Sequence, residues 1–192
     1  MDKRWELKKL DPINFQKLSK ELDVNKIVVH LLALRGIKTF EEAKHFFRPK
    51  LSHLHSPFLM KNMQIAVARI ETAISKNQKI LIYGDYDVDG TTSVAMMYLF
   101  LKKHTKNVDY YIPCRYKEGY GISLTGIDYA YKNNTSLIIA LDCGIRAIDQ
   151  IDYANKMAID FIICDHHMPS NKIPNAVAVL NPKQLNCSYP YK

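Results

Sequence analysis

The sequence contains no long hydrophobic run, and its apolar residues occur instead in short stretches. The longest of them, residues 80–83 and 137–141, have the length of a β-strand, whereas a helix needs about 20 apolar residues to cross a bilayer. The first residues, Met1 to Glu6, also lack the apolar segment of a secretory signal. We therefore expect no transmembrane segment, no secretory leader and no membrane partner.

Cysteine is scarce, and no two cysteines are close in sequence. The chain has four, Cys114, Cys143, Cys164 and Cys187, and none belongs to a C-x-x-C pair, which argues against a zinc knuckle. A chain of 192 residues can bury a core without disulfide bonds. We therefore expect four free thiols in a reducing cytoplasm.

Acidic residues are fewer than basic ones. The chain has 27 Lys and Arg against 19 Asp and Glu, which gives a formal net charge of +8. This surplus favours polyanionic partners, above all nucleic acid, although a lysine-rich surface can also serve solubility alone. The hydrophobic fraction of 47% excludes a mainly disordered chain.

Residues 1–58 are predicted to form a helical lead. Residues 25–34 have apolar spacing suited to a helix. Thr39 and Glu42 form a capping box, and the helix that they begin is expected to end at Phe47, before Pro49. The remaining residues, 59–192, are predicted to form a separate α/β domain.

Beyond residue 58, short apolar segments alternate with amphipathic ones, which is typical of a parallel sheet with helical crossovers. The apolar segments are nearly continuous, as in strands that are buried on both faces. We therefore predict an α/β fold with a five-stranded, mainly parallel sheet flanked by helices. Ligands bind such sheets beyond the carboxyl ends of the strands. The predicted strands are 79–83, 108–112, 136–141, 161–164 and 176–180, and the predicted helices are 63–75, 91–104, 124–132 and 145–157.

Acidic residues and histidines follow three of the predicted strands, so they are expected to meet at one edge of the sheet. Carboxylates this close repel one another unless cations neutralise them, and carboxylates with imidazoles suit Mn²⁺ or Mg²⁺. Paired divalent ions are a common device for hydrolysing phosphate esters. The residues are Asp85, Asp87 and Asp89 after the first strand, Asp142 after the third, and Asp165, His166 and His167 after the fourth.

Three other interpretations of these residues compete with a metal site. Asp85, Asp87 and Asp89 match the start of an EF-hand loop, but its twelfth position is Met96 instead of a bidentate Glu. Residues 87–91 also resemble the nucleophile motif of haloacid-dehalogenase phosphatases, a family that has no use for Asp-His-His. The aspartates could also act only as turn and helix-cap residues, with Asp89 or Thr91 as the cap, but this does not explain clusters after three strands.

Taken together, these segments resemble the DHH phosphoesterase family. The surroundings are similar to the branch of that family that degrades single-stranded DNA, and the resemblance covers roughly residues 45–192. The motif segments are 84–92, 141–144 and 165–167, and the similar surroundings are 57–63, 113–121 and 181–184.

The resemblance implies a processive 5′→3′ exonuclease on single-stranded DNA that acts in recombination and repair with Mn²⁺ or Mg²⁺, two ions in the whole enzyme. A single-strand-binding protein or a helicase is an implied partner besides the DNA. The implied residue roles are metal ligation by Asp87, Asp89, Asp142 and His166, a partner acid at Asp85, contact with the scissile phosphate by His167, and orientation of the histidines by Asp165.

The loop from Arg115 to Gly121 follows the second predicted strand, so it is expected to open on the same edge. A guanidinium can hold a phosphate through two hydrogen bonds, and we assign Arg115, Gly119 and Gly121 to phosphate binding. The alternative is that Arg115 is an ordinary solvated loop residue.

The family's fourth motif, with a further metal-binding aspartate, is expected after Lys192, followed by a second catalytic domain and an OB fold. The chain is therefore expected to be the N-terminal part of a longer protein, and to be weakly active or inactive alone. Two other functions stay open. One is a DHH phosphoesterase acting on oligonucleotides, cyclic dinucleotides or pyrophosphate, and the other is a non-catalytic module that binds metal or a protein partner.

Overall fold

The structure, a computed structural model, describes residues 4–191. The chain divides between Leu54 and His55 into two compact units. The first unit contains the helices α1 (Pro12–Glu21), α2 (Lys26–Leu34) and α3 (Phe40–Phe47), with a short 3₁₀ helix at Leu51–His53.

The helices of the first unit begin at residues whose side chains cap them. The predicted capping box is confirmed, because the Glu42 N–H donates to the Thr39 hydroxyl and the Thr39 N–H donates to the Glu42 carboxylate, each at 3.2 Å. Asp11 and Asn25 cap α1 and α2 more simply, since their side chains accept the N–H groups of Ile13 and Ile27. The unit has a small core of its own, formed by Leu18, Val29, Leu32, Ile37 and Ala43.

The second unit is an α/β sheet domain. Its five strands are all parallel, in the order β2-β1-β3-β4-β5, which confirms the predicted fold class. The elements, after a 3₁₀ turn at Pro57–Leu59, are α4 (Met63–Ser75), β1 (Lys79–Gly84), α5 (Val88–Leu101), β2 (Val108–Tyr111), α6 (Leu124–Lys132), β3 (Thr135–Leu141), α7 (Ile148–Lys156), β4 (Asp160–Cys164) and β5 (Ala178–Leu180).

Helices cover both faces of the sheet, which explains why its inner strands β1, β3 and β4 are mostly apolar. On one face, Ile127 of α6 and Ile151 of α7 pack on strand residues such as Ile138. On the other face, Ala73 of α4 and Val94 of α5 pack against another set of strand side chains. The central strand β3 is buried along nearly its whole length, because parallel sheets bury both faces.

Two predicted helices begin at other residues than expected, and the first of them also ends earlier, at Leu101 instead of residue 104. The helix expected at 91–104 is α5, which begins one turn earlier because Asp87 caps it. Its cap is therefore neither Asp89 nor Thr91. The helix expected at 145–157 is α7, which begins later because the Ile145 N–H donates to the side chain of Asp165 instead of entering the helix.

None of the helices in residues 4–191 is both long enough and apolar enough to span a membrane. All four cysteines are free thiols, as expected.

Candidate metal centre

The candidate site lies at the carboxyl edge of the sheet, beyond the neighbouring strands β1, β3 and β4. Because these strands pair in parallel, the residues that follow them reach the same edge. The chain turns sharply after β3, where Asp142 has a φ of 60° and Gly144 a φ of 108°. These left-handed conformations direct the backbone away from the strand immediately after its last residue.

Asp142, His166 and His167 are the one group of potential metal ligands that the described residues bring together, with a ligand atom of each within 4.8 Å of the others. His166 Nε2 lies 3.1 Å from Asp142 Oδ1. Burial raises the pKa of Asp142 and the charge of Asp87 raises it further, whereas the two histidines lower it, and the net shift is upward. A bound cation would favour the ionised form of Asp142.

Asp165 ties the loop after β4 to the loop after β3. One of its carboxylate oxygens accepts the Ile145 N–H at 2.9 Å, and the other accepts the His167 N–H at 2.9 Å and lies 2.7 Å from His167 Nδ1. Burial alone would raise the pKa of Asp165, but these hydrogen bonds lower it below its ordinary value. The ionised carboxylate therefore fixes the ring of His167, which supports the orienting role that we predicted.

Asp85 is fully buried, and one of its carboxylate oxygens has no hydrogen-bond partner. The other oxygen faces the Gly121 N–H at a long 3.5 Å. Helix α5 packs directly on this segment, because a Cβ added to Gly90 would overlap the Asp85 carbonyl oxygen. A buried carboxylate oxygen without a hydrogen-bond partner is costly, so Asp85 is a group that a nearby cation would stabilise.

Asp87 and Asp89 lie at the start of α5. The Asp87 carboxylate accepts the Gly90 N–H at 2.9 Å, and Asp89 is exposed in the first turn. Neither belongs to the group within 4.8 Å described above. Asp87 is nevertheless close enough to Asp142 to raise its pKa, whereas the ligand role of Asp89 stays a prediction.

Glu118 holds the loop that follows β2. Its carboxylate accepts the Cys114 N–H at 2.8 Å, the Tyr111 hydroxyl at 2.9 Å and the Ser123 hydroxyl at 2.5 Å. Burial raises the pKa of Glu118, but the three hydrogen bonds lower it more, so the net shift is downward. An ionised Glu118 therefore closes the loop on itself.

Arg115 lies in this loop, and its guanidinium stands over the ring of Tyr86 with 5.4 Å between the Cζ atom and the ring centroid. The side chain is exposed, and its cation–π contact leaves its hydrogen-bond donors available for a ligand. This placement at the sheet edge supports a phosphate-binding role.

The two glycines of the loop shape its backbone. Gly119 and Gly121 have φ values of 79° and 83°, a conformation that other residues rarely adopt. Gly121 is buried, with its N–H toward Asp85 and its carbonyl accepting the Tyr83 hydroxyl at 3.0 Å. For Gly121 these contacts support a conformational role, and its predicted phosphate contact stays untested.

The sequence interpretation missed three residues that reach the site. The Tyr120 hydroxyl lies 3.3 Å from His167 Nε2, and its place between two glycines of the assigned loop was the available signal. Asn181 Nδ2 donates to the His167 carbonyl at 2.9 Å, and Lys183 Nζ donates to the His166 carbonyl at 2.6 Å. These two residues follow β5. The expectation that residues after parallel strands meet at one edge of the sheet could therefore have found them.

The donor set fits a divalent cation. Carboxylate and imidazole ligands suit Mn²⁺ and related ions. A cation would offset the cost of the unpartnered buried oxygen of Asp85 and of the burial that raises the pKa of Asp142.

Comparison with known proteins places the chain in a family. The model of the DHH family, N-terminal domain, matches residues 79–189, which include the aspartates and histidines described above. The chain belongs to the DHH family.

The DHH relatives include single-stranded-DNA-specific exonucleases. RecJ of Bacillus subtilis is 41% identical over 189 residues, which are 98% of this chain and 24% of the relative. A crystal structure of exonuclease RecJ bound to manganese is 28% identical with a TM-score of 0.62, and the match covers 67% of this chain and 33% of that one. RecJ from Thermus thermophilus in complex with Mn²⁺ has the same fold, at 24% identity and a TM-score of 0.68 over 93% of this chain and 25% of that one.

The chain therefore spans about a quarter to a third of the length of the DHH proteins that it matches.

Proposed function

We propose that this chain is the N-terminal, metal-binding part of a 5′→3′ exonuclease that hydrolyses single-stranded DNA with Mn²⁺ or Mg²⁺. The observation that carries the proposal is the group of Asp142, His166 and His167 at the carboxyl edge of a DHH-family sheet. The similar exonucleases named RecJ support the substrate, and the crystal structure of RecJ bound to manganese at 28% identity supports the ion.

Each site residue has a distinct part in the proposed reaction. Asp142 and His166 would hold a divalent ion, with Asp87 and Asp89 as further ligands and Asp85 as additional negative charge beside them. Such an ion supplies the polarisation of the phosphodiester and the acidification of water that hydrolysis requires.

His167 would contact the scissile phosphate. Its Nδ1 lies against the buried Asp165, so the ring is fixed and Nε2 remains as the donor or acceptor on the other side. In the structure Nε2 faces the Tyr120 hydroxyl at 3.3 Å. Asp165 is therefore proposed as the positioning residue of His167, and Tyr120 as its neighbour at the substrate side.

The surface beside the site suits a nucleic-acid strand. Arg115 offers a guanidinium to a backbone phosphate, and the exposed ring of Tyr120 offers a face on which a base can stack. The net charge of +8 adds a general attraction for a polyanion.

We further propose that the enzyme acts in recombination and repair in the cytoplasm, with a single-strand-binding protein or a helicase as partner. The family resemblance supports this setting, and the four free thiols agree with a reducing compartment.

A comparison of substrates with the full-length protein tests the proposal. Single-stranded DNA, the matching duplex, a cyclic dinucleotide and pyrophosphate are each incubated with Mn²⁺. We expect hydrolysis of the single strand, with a label at the 5′ end released as a mononucleotide before a label at the 3′ end. Faster consumption of the cyclic dinucleotide or of pyrophosphate would instead support another DHH phosphoesterase activity.

A further inference from the structure

A cavity of about 350 Å³ lies directly beside His167, on the side of the loop after β3. Its size is within the range of pockets that hold small ligands, about 300–1,000 Å³. The side chains that matter for its chemistry are Tyr120, Arg146, Gln150, Asp165 and His167. None of the roles described above uses Arg146 or Gln150.

Arg146 makes this cavity suitable for an anion. Its Nε donates to the Met168 carbonyl at 2.8 Å, which fixes the guanidinium and leaves its terminal nitrogens available. In residues 4–191 it has no carboxylate partner, since the charge of the nearby Asp165 is taken up by Ile145 and His167.

The start of α7 adds to this preference. Ala147 precedes the nine-residue helix, and no side chain caps the N–H groups of the first turn. Such N–H groups attract anions. The acidic residue of that turn, Asp149, is exposed and does not line the cavity. The cavity therefore combines a fixed guanidinium with a helix N-terminus, next to the residue proposed to contact the scissile phosphate.

A series of side-chain contacts runs from Arg115 to the cavity that Arg146 lines. The Arg115 guanidinium stands over Tyr86, and Tyr86 meets Tyr120 edge-on at 6.3 Å between ring centroids. Tyr120 in turn contacts His167, and these two residues line the cavity together with Arg146. The two guanidinium groups therefore lie at the ends of a path that passes the candidate metal centre.

We propose that Arg146 and its cavity form a second phosphate subsite, which holds a phosphate of the DNA strand next to the scissile one. Arg115 and Arg146 would then bind phosphates on the two sides of the reacting bond. This proposal rests on the proposed function, and it adds a binding residue outside the three DHH-type motif segments.

The test is the salt dependence of DNA binding in the full-length protein. Binding of a 5′-phosphorylated oligodeoxythymidylate is measured at several salt concentrations in an Asp142→Ala background, which prevents hydrolysis. We expect Arg146→Ala to raise Kd about tenfold, as for the loss of one charge-assisted contact. The slope of log affinity against log salt should become shallower by about 0.7, the value for one phosphate on a single strand.

Three further variants make the result specific. Arg146→Gln keeps a donor for the Met168 carbonyl and should reproduce the loss, which separates a binding role from a folding defect. Arg146→Lys keeps the charge and should restore most of the slope. Lys156→Ala removes an equal charge at the far end of α7, near the amino edge of the sheet, and should leave the slope unchanged.

With Asp142 intact, Arg146→Ala should raise KM for single-stranded DNA about tenfold and leave kcat nearly unchanged, because only binding is weakened. If the wild-type enzyme degrades single-stranded DNA, either of two results would overturn the subsite alone. One is a salt slope of Arg146→Ala equal to that of the wild type, and the other is an equal change of slope in Lys156→Ala. Failure of the wild-type enzyme to degrade single-stranded DNA would instead overturn the proposed function.

Discussion

At the scale of single residues, the site is organised by carboxylates with different surroundings. Both oxygens of Asp165 accept hydrogen bonds, and its pKa is lowered. Asp85, by contrast, has a buried oxygen without a partner, and Asp142 has a raised pKa. The first is suited to holding neighbouring groups in place. The other two are suited to a cation, because a cation would remove the cost of their burial.

Asp165→Asn should destabilise the domain by about 1–3 kcal/mol. The NH₂ group of Asn would replace a buried carboxylate oxygen that accepts a hydrogen bond, so two donors would face each other. The ring of His167 should also lose its fixed orientation. Urea unfolding of the variant measures the first effect.

Asp152→Asn is the matched control, since Asp152 is exposed in the middle of α7 and its change should be nearly neutral. Equal stability of the two variants would show that Asp165 does not join the loops after β3 and β4.

Single residues were predictable where they directly follow a parallel strand, because such residues meet at the carboxyl edge of the sheet. Asp142, His166 and His167 follow strands that were recognised from their apolar runs, and the structure brings them together. Tyr120 and Arg146 belong to loops, whose paths depend on contacts such as those of Glu118 and Asp165. No pattern of spacing in the sequence encodes those contacts.

At the scale of elements, the loop between β2 and α6 is held by its own hydrogen bonds and by Tyr83. The Tyr83 hydroxyl donates to the Gly121 carbonyl and accepts the Ser123 N–H, each at 3.0 Å, and burial raises its pKa to about 12. Tyr83 therefore stays protonated and fastens the loop to β1. The loop that carries Arg115 is in this way anchored to the strand that precedes Asp85.

Glu118→Gln should cost about 1 kcal/mol at neutral pH, since hydrogen bonds to a charged group are lost at a partly exposed position. The pKa of Glu118 is lowered in the folded state, so its stabilisation is complete above the unfolded-state pKa of about 4.3. It is lost as the pH falls through the lower folded-state value. The difference in unfolding free energy between wild type and variant should therefore shrink below about pH 4.

Thermal unfolding of both proteins between acidic and neutral pH measures this difference. Glu71→Gln is the control, because Glu71 is an exposed residue of α4, and it should show no such trend. A difference that grows toward acidic pH would contradict an ionised Glu118 as the closing group of the loop.

Elements were predictable to the extent that local signals define them. The capping box at Thr39 defined the start of α3, and the apolar spacing of α4 and α6 gave both of their ends. The starts of α5 and α7 depend on Asp87 at the sheet edge and on the bond between Ile145 and Asp165. The first is a local cap that the apolar pattern did not indicate, whereas the second is a tertiary contact, and both positions lie at the candidate site.

At the scale of the whole molecule, the second unit contains a complete layered sheet with a core on each face. This explains how a segment spanning about a quarter of its RecJ relatives can have a well-packed architecture. The candidate metal centre, however, lies at the edge of that sheet, where His166 and His167 are exposed.

The 192-residue chain is therefore predicted to fold alone but to degrade single-stranded DNA poorly. The family resemblance implies a further metal-binding aspartate outside these residues, and reactions that use two ions need both in place. Calorimetric titration with Mn²⁺, with a nuclease assay on the same sample, should show one site and weak activity. Two tight sites with strong exonuclease activity would mean that these residues already complete the centre.

The central claim is that Asp142 and its histidine neighbours form a divalent-metal site for DNA hydrolysis, and Asp142→Ala in the full-length protein tests it most directly. Asp23→Ala, an exposed change in the first unit, is the control, and melting temperatures without metal check the fold. Asp142→Ala should change that temperature little, since removing a carboxylate whose pKa burial and Asp87 raise offsets the strain of Ala at a φ of 60°.

The decisive measurement is the rate of hydrolysis of 5′-phosphorylated single-stranded DNA with Mn²⁺ present. We predict that Asp142→Ala lowers this rate more than about a hundredfold, beyond the 10–100-fold typical of losing a group outside the metal's own ligands, while Asp23→Ala keeps it. A folded Asp142→Ala enzyme with a rate near that of wild type would contradict the account.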